Sequence, residues 1–182
     1  LFAADDDTSY GQAQTFINAS KPGGVTVTEQ LEWDPEAKDY TDLMNRVKKS
    51  NPDGVLLAGL TEQNGGQLIK DKVSVLGPND GAVALMAPDG FAQQSTIDEA
   101  GAASAGMVAS VPGRVPDLLP GPGKQFVKQL ESKTGGQPVE LYAPYAGQAA
   151  QVLLDVIESA GADRAAIAAA LYGLSVKDGI TG

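Results

Sequence analysis

The sequence predicts an α/β fold, a doubly wound parallel sheet followed by a helical segment. Three observations predict it. Over residues 1–111, short apolar runs alternate with stretches whose apolar residues recur at helical spacing. The run "VLLAG" is continuously apolar, the pattern of a strand buried on both faces of a parallel sheet. From Val111 onward the strands stop: "VPGRVPDLLPGPG" is rich in proline and glycine, and only helical patterns follow it. The expected division is therefore an α/β lobe over 1–111 and a crossing segment with helices over 112–182.

Each element follows in order. Leu1 to Ala4 reads as the end of a buried strand, and Ser9 with Gln12 three residues later has the spacing of a capping box for a helix starting near Tyr10. That helix carries Ala13, Phe16 and Ile17 on one face and stops at "KPGG". Residues 25–33, "VTVTEQLEW", alternate as a strand. Tyr40, Leu43, Met44 and Val47 mark the next helix, which "NPDG" ends. After "VLLAG", Asn64 and Gln67 read as caps of a helix bearing Leu68 and Ile69. "AVALMAPDG" is a fourth strand and its turn, "STIDEAGAA" a short helix, and "GMVASVP" a fifth strand. In such a sheet ligands bind at the carboxyl edge, here the turns after Ala4, Leu57, Ala87 and Ser110. Helices are then expected from about Lys124 to Lys133, from Tyr145 to Gly161, and from Asp163 to Gly173.

Composition excludes several kinds of chemistry. The net charge of −10 leaves no basic patch for nucleic acid. With no cysteine and no histidine there is no thiol or imidazole nucleophile or base, no disulfide and no usual zinc site. The apolar runs are too short and too interrupted for a transmembrane span. Leu1 opens no signal peptide, and the first strand reads as cut midway, the expectation for an excised piece or a processed chain.

The triplet Asp5, Asp6 and Asp7 sits on the first strand-to-helix turn. One reading is a magnesium or phosphoacceptor site, since hard cations take carboxylate oxygens; the third strand ends in Gly59, however, where a receiver-type domain would supply a further aspartate. The plainer reading is that acids near a helix start complement its dipole and solvate the turn. An enzyme working through carboxylates could draw on Asp5, Asp7, Asp34, Asp39 and Asp89, but no nucleophile elbow, P-loop or dinucleotide fingerprint is present, and the pair Gly65–Gly66 lacks the remaining glycines of such a site. The chain is read as a non-enzyme that calls for no cofactor and no metal.

Five short motifs occur in a telling order: "DDTSYGQ", "DY" before a helix, "DGVLLAG", "APDG", and "YAPYAGQAAQVLLDVIESAG". In that order the chain resembles the type I periplasmic binding proteins, above all the branched-chain amino-acid (Leu/Ile/Val)-binding subunits of ABC importers. The resemblance implies two α/β lobes joined by crossing strands with a solute held between them. This chain resembles the second lobe with the segment that returns to the first, most of which would be missing. The helices after Pro122 would then lack their partner sheet, and a second copy of the chain is one surface that could cover them.

The resemblance also implies site residues. Tyr10 matches the pocket-wall tyrosine of the "YG" turn; otherwise it is a hydrophobic staple at the helix start. Asp89 stands where the family has an acid that receives an α-ammonium; otherwise it is a solvated turn aspartate. Tyr145 matches an aromatic at the cleft entrance, or else a core residue of an apolar helix face. Leu60 stands where amino-acid binders often carry an aromatic, which reshapes the pocket wall. The implied function is an extracytoplasmic solute-binding protein, periplasmic or lipid-anchored at the cell surface. It would take an amino acid or related small polar solute and deliver it to ABC permease subunits. The alternative is a ligand-sensing domain of a receptor or amide-responsive regulator with the same fold.

Overall fold

The structure, a computed structural model, describes the backbone of residues 2–4 and the whole of residues 7–182. The chain divides into two compact units, Leu1–Pro112 and Gly113–Gly182.

The first unit is the α/β layer. Its elements run β1 (Phe2–Ala4), α1 (Asp7–Ser20), β2 (Leu31–Trp33), α2 (Thr41–Lys49), β3 (Gly54–Ala58), α3 (Gly65–Leu76), β4 (Ala84–Ala87), α4 (Gln94–Ala100) and β5 (Val108–Ala109). The strands form one sheet in the order β2-β1-β3-β4-β5, every pair parallel. Strand order reverses at β1: the chain steps outward to β2, then returns past β1 to β3. That reversal opens a crevice at the carboxyl ends of β1 and β3.

The core of this unit gathers Trp33, Tyr40, Met44, Leu57, Leu68, Ile69, Leu85 and Phe91. Alternation along β4 sends Leu85 and Ala87 into it and leaves Ala84 and Met86 outside. The register sets Leu56 beside Met86 and Met86 beside Val108, one row on one sheet face, in which Met86 and Val108 are exposed.

Four local expectations are corrected. The first helix begins at Asp7 rather than near Tyr10, so Ser9 is its third residue, buried inside it, and cannot act as its cap. Asp7 takes the first turn and complements the positive end of the dipole; Asp5 and Asp6 lie outside the described residues. The second strand is only Leu31–Trp33, paired from Phe2 beside Leu31 to Ala4 beside Trp33, and residues 25–30 are not part of it. Asn64 is not a side-chain cap of α3. It adopts a left-handed conformation, and its Nδ2 donates instead to the Ala37 carbonyl at 2.7 Å and the Tyr40 hydroxyl at 3.0 Å. Gln67 does not cap α3 either; its Nε2 donates to Asp71 Oδ1 at 3.0 Å, one turn further on.

These contacts tie the loop after β2 to α3. Asp71 accepts from the Tyr40 amide at 2.7 Å, and the Tyr40 hydroxyl donates to the Asp34 carbonyl at 2.8 Å. Burial pushes the Tyr40 phenol above its ordinary value, although the Asn64 bond works against the rise.

The second unit holds α5 (Gly121–Lys133), α6 (Ala143–Ala160) and α7 (Arg164–Tyr172). The first of these starts three residues before Lys124 because Pro122 suits the first helical turn. Gly147 lets α6 approach α5, since a Cβ there would lie 2.5 Å from the Phe126 ring. Asp163 caps α7 by accepting from the Ala166 amide at 2.7 Å. Gln148 on α6 accepts from the Ile180 amide and holds the terminal segment. Among the described residues, no helix is long and apolar enough to cross a membrane.

Candidate functional site

Three of the four sequence-derived site residues follow strand ends of the first unit. Tyr10 lies on α1 after β1, Leu60 after β3 and Asp89 after β4. All three strands are parallel, so these turns share the carboxyl edge of the sheet, with Tyr10 and Leu60 following the two strands that flank the reversal of order. Tyr10 and Leu60 are about half exposed, at 50% and 45%. Neither side chain is used up in the core.

The β3 turn is shaped by its neighbours. Gly59 has φ 154°, and a Cβ there would come within 2.7 Å of both the Trp33 ring and Gln63 Oε1, so the position demands glycine. Gln63 Oε1 accepts from the Leu60 amide at 2.7 Å, and the Gln63 carbonyl accepts from Trp33 Nε1 at 2.8 Å. A buried tryptophan from β2 thus sets the path that presents Leu60.

The β4 turn is then fastened to the β3 turn. The Gly90 carbonyl accepts from the Thr61 amide at 3.2 Å, Thr61 Oγ1 at 3.0 Å and Gln93 Nε2 at 3.0 Å. The structure therefore brings the turns of Leu60 and Asp89 into direct contact. Gln93 also donates to Glu62 at 2.9 Å across the same rim. None of Trp33, Gln63 and Gln93 stood out in the sequence as part of a site; a polar "TEQN" shortly after a buried strand was the available signal.

Tyr145 belongs to the second unit. Its hydroxyl accepts from the Arg114 amide at 2.6 Å and donates to the Arg114 carbonyl at 3.1 Å. Its ring is half-buried and meets Tyr142 edge-on, with centroids 6.4 Å apart. It is thus not a plain core residue of its helix.

Among the described residues no group of three or more acids is arranged to hold a metal ion. At the carboxyl edge the turns that carry Leu60 and Asp89 are thus held together by the bonds to the Gly90 carbonyl.

A family profile described as periplasmic binding protein matches residues 1–182, and the chain belongs to that family. Membership implies an extracytoplasmic location. The chain resembles a leucine-binding protein of Thermotoga maritima MSB8, with 26% identity and a TM-score of 0.84 over 100% of this chain and 50% of that one. It shares its fold with a type 1 periplasmic binding protein of Bordetella pertussis Tohama I, at 21% identity and a TM-score of 0.82 over 99% of this chain and 50% of the other. It shares it too with an ABC transporter substrate-binding protein of Desulfitobacterium hafniense in complex with Leu, at 21% identity and a TM-score of 0.76 over 100% and 50%. No curated protein matches the sequence. The chain spans about half the length of these solved relatives.

Proposed function

We propose that the chain is the second lobe and returning segment of a solute-binding subunit of an ABC importer, and that it takes an amino acid with an apolar side chain, leucine or a near relative. Residues up to Val111 form the lobe, those from Pro112 cross toward a first lobe, and closure of the two about the solute produces the form that docks on a permease. The role is binding and delivery, with no chemical step.

The observation that carries this reading is the joined rim of Leu60 and Asp89, at the carboxyl edge of the sheet, in a chain 26% identical to a leucine-binding protein. Asp89 receives the solute ammonium, and Leu60 and Tyr10 wall its side chain. A desolvated ammonium needs a counter-charge, because a buried unpaired charge is expensive. The acid is that counter-charge.

The test is Asp89→Asn in the two-lobe protein, titrated calorimetrically with leucine. The amide keeps the shape and removes the charge, so affinity falls by roughly 30-fold or more. Unchanged leucine affinity would sink the assignment of Asp89 as the ammonium partner.

A further inference from the structure

Beneath the rim lie two hydroxyls that the proposed solute contacts leave unexplained. Thr61 and Thr96 are 0% and 2% exposed, and their Oγ1 atoms are 2.6 Å apart. A hydroxyl carries one proton. Since the Thr61 hydroxyl donates to the Gly90 carbonyl at 3.0 Å, Thr96 must be the donor between the two threonines. The result is a directed chain from Thr96 to Thr61 to the Gly90 carbonyl, in which each bond polarises the next.

Its position gives it a consequence. Gly90 follows Asp89 directly, and a Cβ on Gly90 would come within 2.7 Å of the Gly59 carbonyl and 3.3 Å of Leu60 Cα. The backbones of the two turns are therefore in contact, and the Thr61 hydroxyl is a buried fastening between them. The exposed Gln93–Glu62 bond competes with water, whereas the threonine pair does not.

We propose that Thr61 is a positioning residue whose hydroxyl, oriented by Thr96, locks the Asp89 turn to the Leu60 turn, so that one rigid rim reads the separation between a solute's ammonium and its apolar side chain. This rests on the reading of Asp89 and Leu60 as solute contacts. Discrimination for the α-amino group then depends on Thr61 although it touches no solute atom. A loosened Asp89 turn weakens the grip on the ammonium and leaves the apolar wall alone.

The experiment compares Thr61→Val, Thr61→Ser and Thr96→Val in the two-lobe protein. Hydrogen exchange without solute reads the rim, and calorimetry with leucine and its deaminated analogue 4-methylpentanoate reads selectivity. In Thr61→Val, exchange rises together over residues 59–63 and 88–93 while β3 and β4 keep their protection. Leucine affinity falls about five- to tenfold, the scale of one hydrogen bond, and 4-methylpentanoate affinity changes by less than about twofold. Thr61→Ser restores both readouts. Thr96→Val, farther from the rim, gives a smaller change in the same direction and serves if Thr61→Val does not fold. Parent-like exchange of both turns in Thr61→Val, or equal loss for the two solutes, overturns the latch. Asp89→Asn in the same series separates the two ideas: a loosened rim in Thr61→Val beside undiminished leucine binding in Asp89→Asn overturns the Asp89 reading and the selectivity built on it.

Discussion

One side chain, Tyr145, satisfies both backbone groups of Arg114, accepting from its amide at 2.6 Å and donating to its carbonyl at 3.1 Å across 31 residues of sequence. The segment before α5 has no regular ladder to absorb those groups, so the phenol takes the place of a strand partner. Gly113 makes the approach feasible: a Cβ there would lie 2.8 Å from the Tyr145 ring. The start of α6 and the segment after Pro112 are thereby joined within the second unit.

Tyr145→Phe keeps the ring and its edge-on contact with Tyr142 but removes both bonds. Water can reach the freed Arg114 groups, so the loss lies near the lower end of the usual range, about 1 kcal/mol. Denaturant unfolding should show a lower midpoint with an unchanged slope, and the Arg114 amide should exchange faster. A midpoint equal to the parent's would mean that the clamp contributes nothing to stability.

Lys72 is the buried cation of the first unit, at 0% exposure, and the sequence concealed it as one more polar residue of α3. Its Nζ donates to the carbonyls of Gly77 at 3.1 Å, Pro78 at 3.2 Å and Val83 at 2.6 Å, fastening the end of the helix to the strand that follows. Burial pushes its pKa below the ordinary 10.5, and the charge of Asp80 works against the fall. The unfolded chain therefore binds more protons than the folded one between the lowered value and 10.5. The contribution from this group is fully present above 10.5 and is lost as pH falls through the folded value. Lys72→Met should remove that rise of stability with pH from urea unfolding curves measured across the alkaline range. At neutral pH it should also cost about 1–3 kcal/mol, because three carbonyls lose their donor. A variant that retains the parent's alkaline slope would assign the slope to another group.

The contrast between what was and was not legible follows from distance along the chain. Helix ends set by a single turn could be read directly: Asp163 caps α7, and Gly161 with φ 76° ends α6. So could the alternation of strands and helices that yields the parallel sheet. Local spacing failed where a distant partner outcompeted it. Asn64 has the right chemistry for a cap, but Ala37 and Tyr40 take its amide. Residues 25–30 alternate like a strand, yet the ladder with β1 takes up only Leu31–Trp33. In the candidate site, the places of Leu60 and Asp89 after strand ends were legible from apolar runs that stop at polar turns. The pairing of Thr61 with Thr96, 35 residues apart, leaves no periodic trace in either segment.

The second unit carries the clearest unfilled apolar surface. On α6 Leu153, Leu154 and Ile157 are exposed, Leu154 by 62%, and on α7 Tyr172 is 94% exposed. A helix that presents such a stripe has usually lost the element it packs on, and under the two-lobe reading that element is the first lobe. The 182-residue chain alone should therefore self-associate, seen by sedimentation as a concentration-dependent rise in mass. Where it stays monomeric, residues 124–171 should exchange amide hydrogen fast, since their apolar faces lie open. Leu154→Lys places a charge in the stripe without touching a buried contact, so it should drive the chain toward monomer while shifting unfolding stability by no more than about 0.5 kcal/mol. In the two-lobe protein the same change should cost considerably more, because the lysine would then be buried against the partner sheet. A monomeric chain with slow exchange across these helices, indifferent to Leu154→Lys in both settings, would show that α6 and α7 need no further cover, and the first-lobe assignment of this segment would fall.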